Sequence, residues 1–497
     1  MRILLIHPEY PETFWSFKHA LKFIRKKAAL PPLGLLTIGA MLPGEWSKRL
    51  VDMNVTKLTD KDLGWADYAF IGGMSIQRTS AYETVARCKK AGLKIIAGGP
   101  LFTSEYDQFD DVDHFILNEA ELTLSSFLTD LEKGYARRIY KTSEFCDIRK
   151  TPPPMWELLN LKHYASMSIQ FSRGCPFNCD FCNVTALFGH RSRIKTSDQI
   201  LAELDSLYSQ GWRGPVFFVD DNFIGNKSYL KTNLLPSLIQ WRKGKENISF
   251  NTETSINLAD DKMLINMMVN AGFNSVFIGI ETPNDESLTE CNKQQNKNRD
   301  LIGNIKLIQR SGLQVQGGFI VGFDSDTPSI FKRQIEFIQK SGVVTAMVGI
   351  LNAPPGTKLY ERMRKEGRLI GLFSGDNVDG TTNIIPKMGL DTLRDGYRNM
   401  IQHIYSPKYY YERAVTFLRQ YEMPKNVRVH LDLQSLIAVC RSSIRLGFFG
   451  KERFQYWKIL SWTIFYRPRL VPLAIRLAIY GYHFRLVSRL KLQSIKT

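Results

Sequence analysis

Twice along the chain, short apolar runs end in glycine or polar residues and are followed by amphipathic stretches of helical length. In residues 1–140 the apolar runs are 2–7, 49–53, 68–71, 93–97 and 114–117. Helical patterns fill 33–42, 79–91 and 121–133. Short strands alternating with helices build a parallel, doubly wound sheet, because each parallel connection has to cross over through a helix. In such a sheet a ligand lies at the carboxyl ends of the strands, near the switch point. Gly72-Gly73 and Gly98-Gly99-Pro100 fall at those ends, where backbone turns tightly or approaches something closely.

A second run of the same kind covers 168–365. Strands are expected at 167–171, 215–219, 248–252, 275–280, 315–321 and 345–351, with a helix over 197–209. Six strands with helices between them match an incomplete (β/α)6 barrel. Polar residues gather just after the strands: Asp220-Asp221-Asn222, Glu253, Glu281, Gly322 and Asn352-Ala353-Pro354-Pro355-Gly356-Thr357. Parallel barrels place their chemistry there. Between the two runs, 141–166 reads as a linker stiffened by Pro152-Pro153-Pro154.

Directly after the first strand of the second run stands Arg173-Gly174-Cys175-Pro176-Phe177-Asn178-Cys179-Asp180-Phe181-Cys182. The C-x3-C-x2-C spacing can turn three thiolates toward one point. Three thiolates are one short of the usual four-cysteine set of a cubane iron–sulfur cluster, so one iron would keep an open position. A zinc knuckle would need a fourth ligand, and His190 is the only candidate nearby. Disulfides fit poorly with seven cysteines in a chain whose N-terminus carries no secretory signal. Cysteine usage points to a reducing, cytoplasmic setting, and no stretch approaches eighteen uncharged apolar residues.

The 497 residues suffice for about two to four domains. From about 371 onward the alternation stops and the pattern becomes helical, with Tyr409-Tyr410-Tyr411 and many other aromatics. Residues 441–497 carry twelve Lys and Arg against one acid, Glu452, so +11 of the chain's +18 lies there. Basic residues interleaved with Phe, Trp, Leu and Ile suggest an interfacial helix pair on an anionic bilayer. A helical cap with a basic solvated face and a nucleic-acid surface are the other readings, though the apolar content is high for the latter.

The cysteine spacing, with Phe181 just before the last cysteine, resembles the signature of the radical S-adenosylmethionine (radical SAM) superfamily. A flavodoxin-like domain ahead of that core resembles its cobalamin-binding class. The helical tail resembles the subgroup that includes hopanoid and bacteriochlorophyll methylases. The resemblance implies four parts: a cobalamin-binding-like domain (1–140), a linker (141–166), a radical SAM domain (167–370) and a helical C-terminal region (371–497). It implies that Cys175, Cys179 and Cys182 hold a [4Fe–4S] cluster whose free iron chelates SAM. Phe181, Asp221, Asn222, Glu253, Glu281, Gly322 and Asn352 are then expected near SAM. Gly72, Gly73, Ser75, Gly98, Gly99, Pro100 and Glu119 are expected near cobalamin. The first strand runs into His7-Pro8-Glu9-Tyr10-Pro11, which does not fit the Asp-x-His-x-x-Gly motif, so no lower cobalt ligand is assigned.

The implied chemistry is one-electron cleavage of SAM to methionine and a 5′-deoxyadenosyl radical. Hydrogen abstraction from an unactivated carbon and methyl transfer from methylcobalamin follow. The implied substrate is hydrophobic, a lipid or a tetrapyrrole, and an electron donor such as flavodoxin or ferredoxin is required. A cobalamin-dependent rearrangement or cyclisation without methyl transfer stays open, as does a metal-bearing nucleic-acid-binding protein.

Overall fold

Ile3 to Ile6 are fully buried, which makes the first strand, β1 (Arg2–His7), the centre of the N-terminal sheet. The computed structural model describes residues 1–245, 247–424 and 433–494. Around β1 stand β2 (Ser47–Asp52), β3 (Tyr68–Gly72), β4 (Lys94–Gly98), β5 (His114–Ile116) and β6 (Ile139–Tyr140). All pair in parallel, in the order β2-β1-β3-β4-β5-β6. The order reverses at β1, so the crevice outside the ends of β1 and β3 is the switch point. One apolar cluster lies on each face of the sheet, one including Leu4, Ile71 and Phe115 and the other Ile3, Phe70 and Phe127. The short strand β6 falls at the edge of the linker segment and was not expected. Residues 141–166 hold only short 3-10 turns, yet Cys146, Ile148, Trp156 and Tyr164 are buried against their neighbours.

The second sheet contains β7 (Met167–Ile169), β10 (Val216–Phe218), β11 (Phe250–Thr254), β12 (Phe273–Glu281), β13 (Gln314–Val321) and β14 (Ala346–Ile350). Its order, β14-β13-β12-β11-β10-β7, is sequential and parallel throughout, as a six-stranded partial barrel requires. Between β7 and β10 a two-stranded antiparallel ribbon, β8 (Ser172–Arg173) with β9 (Arg193–Ile194), closes the base of the cysteine loop.

The C-terminal region is helical, as expected. Helices Leu390–Ile404 and Pro407–Gln420 pack on the barrel; Tyr397 and Tyr405 donate hydroxyl hydrogen bonds to the β14 carbonyls of Val348 and Ala346. The last helix, Val471–Ser494, reaches the N-terminal segment, where His483 lies 2.9 Å from the Phe14 carbonyl. The sequence offered no stretch of this kind, but one helix, Pro468–Lys491, is long and apolar enough by length and composition to cross a membrane. Within that helix, 67% of the apolar window is buried inside the fold. Most of its apolar surface is already covered, so it does not form half of an exposed interfacial pair. Lys496, counted in the basic tail, lies outside the described residues.

Candidate active site

The cysteine loop is built by backbone constraints on both sides. Asp220, at the end of β10, accepts from the backbone N–H groups of Phe171 and Ser172, which pins the start of the loop to the neighbouring strand. Asp221 accepts from Gly174 N at 3.3 Å. Gly174 has φ +92°, and a Cβ there would stand 2.5 Å from the Arg191 carbonyl and 2.8 Å from that of Phe188. Only glycine fits this position. On the far side, Asp180 N donates to Cys291 O at 3.1 Å, and Asn292 reaches Asn178 O at 2.8 Å.

Cys175, Cys179 and Cys182 are free thiols, as are the other four cysteines. Burial pushes all three upward in pKa, Cys182 to about 12. Loading a metal therefore releases protons from this site. Among the described residues no group of three or more His, Cys, Asp or Glu is gathered for a single metal ion, and His190 is exposed. A zinc knuckle would need a fourth protein ligand, whereas a four-iron cube that leaves one iron open needs only three. Two further side chains face the thiols. Gln295 Nε2 lies 3.7 Å from Cys179 Sγ, and its Oε1 is buried without a partner among the described residues. Lys293 is held by Glu281 at 2.6 Å. Burial works against the lysine's charge, but Glu281 and Cys179 outweigh it and hold its pKa above the ordinary value. A fixed cation beside cluster ligands suits the anionic charge of a thiolate-bound cluster.

The remaining expected SAM residues differ in what occupies them. Glu281 ends β12 at φ +64°, where the pairing with β13 slips, and its side chain is committed to Lys293. Asn222 accepts from Ser255 N and Oγ, and Asn352 holds Thr381 and Asn383. Gly322, at φ +101°, donates to Asp326. Phe181 lies edge-on to Phe323, 6.4 Å away, with the Lys293 ammonium 5.9 Å from its centroid. Glu253 has no hydrogen-bond partner among the described residues and faces a cavity. Burial, then the charges of Asp221 and Asp220, raise its pKa to about 8.

That cavity, about 2540 Å³, joins the two sheets. Single-ligand pockets are typically about 300–1,000 Å³, so there is room for more than one large ligand. Gly72, Gly73, Gly98, Gly99, Pro100 and Glu119 line it from the N-terminal sheet; Ser75 does not, though its neighbours Met74 and Ile76 do. Arg173, Asp221 and Glu253 line it from the barrel. The glycines also answer to packing. A Cβ on Gly98 would lie 2.7 Å from Ile116 O, and Gly99 sits at φ +92° against Gly73 O. The adjacent Asn118, at φ +64°, lines the cavity and has a buried Oδ1 with no hydrogen-bond partner among the described residues.

Glu119 does more than line the crevice. Its carboxylate accepts from Arg193 at 2.7 and 2.8 Å, from Arg173 at 3.1 Å and from the Cys146 N–H at 2.6 Å. Glu121 takes the other side of the Arg173 guanidinium at 3.0 Å. Two carboxylates and two guanidiniums thus tie the N-terminal sheet to the ribbon that carries the cysteine loop. Lys293, Gln295 and Arg193 had no role in the sequence reading. Asn292-Lys293-Gln294-Gln295-Asn296 reads locally as a solvated turn, and only the tertiary fold brings it to the thiols.

The comparisons with known proteins agree with this geometry. Residues 169–338 match the radical SAM superfamily, and 357–497 match a domain of unknown function, DUF4070. The chain is 31% identical to the hopanoid C-2 methylase of Rhodopseudomonas palustris, over 92% of this chain and 88% of that one. The chain belongs to the radical SAM superfamily. An uncharacterised methyltransferase of Synechocystis is 38% identical over 97% of this chain and 91% of its own length. Among solved structures, the cobalamin-dependent S-adenosylmethionine radical enzyme OxsB covers 100% of this chain and 80% of its own, with a TM-score of 0.62 at 14% identity. That likeness is one of fold, and it extends over the doubly wound sheet, the partial barrel and the helical region together. Membership of the superfamily makes the chain an enzyme that uses a [4Fe–4S] cluster and SAM, as the cysteine spacing implied.

Proposed function

We propose that this protein is a cobalamin-dependent radical SAM methyltransferase that adds a methyl group to an unactivated carbon of a hydrophobic substrate. The observation that carries the reading is the cavity that runs from the crevice of the first sheet into the barrel, where Arg173 and Asp221, which flank and pin the cysteine loop, line it and the three cysteines themselves do not. Radical methyl transfer between two cofactors needs such a shared, enclosed space. In this reading residues 1–140 hold the corrinoid, 167–370 the cluster and SAM, and 371–497 close the barrel side.

The residues fit both groups. Cys175, Cys179 and Cys182 would hold the cluster, leaving one iron for SAM, with Gln295 and Lys293 beside the thiolates. Glu253 and Asp221, which line the cavity, would contact SAM together with Phe181, while Asn222, Glu281, Gly322 and Asn352, outside the cavity lining, would shape the strand ends around it. The bare backbone of Gly72, Gly73, Gly98 and Gly99, with Pro100 and the unpartnered Asn118 Oδ1, suits the flat corrin with its carboxamide arms. Ser75 stands between the lining residues Met74 and Ile76, and Glu119 ties the crevice to the β8–β9 ribbon. When bound, the cluster with SAM supplies a hydrogen-abstracting radical, and the corrinoid supplies the methyl group. The chain's own residues position these groups and keep water out.

Relatives named as a hopanoid methylase and a methyltransferase support methyl transfer and an apolar substrate. An electron donor of the flavodoxin or ferredoxin kind would serve the cluster, and peripheral membrane contact through the basic tail completes the reading. The test is anaerobic turnover with SAM. Methylated product accompanied by both 5′-deoxyadenosine and S-adenosylhomocysteine is expected; methylated product with 5′-deoxyadenosine alone would refute the scheme.

A further inference from the structure

Helix Arg453–Tyr466 is apolar on two opposite sides. Tyr456, Ile459, Leu460 and Thr463 are buried against the body of the protein. Phe454, Trp457, Ile464 and Phe465, three, seven and one residues apart and so within about a third of the helix circumference on the other side, are exposed, Phe465 by 80%. Phe448 and Phe449 extend this stripe from the preceding turn, which Trp457 anchors by donating to Gly447 O at 2.9 Å. An exposed apolar stripe opposite a buried one marks a surface for a partner or a membrane.

The exposed charges on this helix and the turn before it are of one sign, while the exposed acids Glu412 and Glu422 belong to the neighbouring helix and the residues after it. Lys451, Arg453 and Lys458 are exposed beside it. The one acid among the described residues after 441, Glu452, is buried on Arg485. Aromatic side chains flanked by unopposed basic ones match an anionic lipid surface. The far end of the stripe also adjoins the cavity. Arg467 donates to Tyr421 O at 2.6 Å, Tyr421 lines the cavity, and the cavity wall resumes at Val471 and Pro472. Arg476 lines the cavity and is exposed, so the cavity reaches the surface here.

We propose that this face docks on an anionic lipid bilayer and turns the Tyr421–Val471–Arg476 mouth of the cavity toward the acyl chains. An apolar substrate then passes from bilayer to barrel without crossing water. The inference rests on the apolar-substrate reading above but assigns the surface and the route. It also moves bilayer contact from a helix pair to one helix and its preceding turn.

The test uses full-length, cluster-loaded protein and co-sedimentation with vesicles. Binding is expected to vesicles of phosphatidylglycerol with phosphatidylcholine, to weaken with salt, and to be absent with phosphatidylcholine alone. The variant Phe454→Ser, Ile464→Ser, Phe465→Ser should lose about tenfold or more in partitioning while keeping cluster absorbance and SAM cleavage. Lys451→Glu, Arg453→Glu, Lys458→Glu should lose about a hundredfold. A polarity-sensitive fluorophore on Arg476→Cys, in a Cys440→Ser background, should shift to the blue on the mixed vesicles. No binding to them, equal binding by the serine variant, unchanged fluorophore emission, or retention by RNA in place of vesicles would each overturn the proposal. Vesicle binding is read without turnover. Methyl transfer to a detergent-dispersed substrate without vesicle binding would therefore sink this inference alone. Vesicle binding by a protein that takes up no corrinoid would sink the methyltransferase reading alone.

Discussion

Replacing Glu119 by Gln tests whether the ion network between the two sheets sets their spacing. The Glu119 side chain is 1% exposed and faces two guanidiniums, of Arg173 and Arg193, that are 12% and 18% exposed. At 2.7 Å and an effective dielectric of about 20, one such contact has a Coulomb ceiling of about 6 kcal/mol. Glutamine keeps the size and one acceptor, but it leaves two guanidiniums opposite the single charge of Glu121. Removing one partner from a buried pair costs about 3–5 kcal/mol, and the residual exposure of the arginines argues for the lower end. Amide hydrogen exchange reads the effect locally. The Cys146 N–H, which donates to Glu119, and the amides of the β8–β9 ribbon should exchange about a hundredfold faster if opening costs about 3 kcal/mol less. Glu132→Gln, on the exposed side of the same helix, should change exchange by less than about twofold. A change below about fivefold in Glu119→Gln would refute the clamp. The clamp also carries a pH signature. Burial opposes ionisation of Glu119, but Arg193, the Cys146 N–H and Arg173 outweigh it and hold the pKa below its ordinary 4.5. The stabilisation is therefore present above pH 4.5 and fades as the pH falls through the lower folded value.

Other changes have equally direct readings. Gly174→Ala forces a Cβ to 2.5 Å from a backbone carbonyl at φ +92°, and should cost about 2 kcal/mol or more and lower iron retention; unchanged iron content would count against the loop geometry. Cys179→Ala should abolish cluster absorbance and SAM cleavage, and full activity would refute its place as a ligand. Glu253, raised to about 8, holds its proton in the folded chain at pH values where the unfolded chain has lost it. Its cost to stability is absent below the ordinary 4.5 and grows as the pH rises toward about 8. Glu253→Gln should thus gain stability relative to the wild type across that window in denaturant titrations, and a pH-independent difference would contradict this.

The sequence was legible where function is encoded in local pattern. β1, β3, β4 and the helix Ser197–Ser209 follow from apolar periodicity, and six barrel strands appear within a residue or two of their expected bounds. The cysteine loop is legible because its spacing is a chemical requirement. Side-chain assignments at strand ends were harder. Asp220, Asn222 and Asn352 follow barrel strands and Glu119 lines the crevice, but their polar atoms hold backbone or ion partners from distant segments, which no local pattern displays. Lys293 and Gln295 come to the thiols through a turn 111 and more residues downstream of Cys182 in the chain. The tail shows the same limit. Two similar apolar, basic helices differ because one is covered by the body and the other is not.

The most direct test of the whole account is the metal content of protein purified without air and reconstituted with iron, sulfide and a corrinoid. The account predicts about four irons and one cobalt per chain, with the iron lost in Cys179→Ala and the cobalt kept. Stoichiometric zinc with neither iron nor cobalt would contradict it.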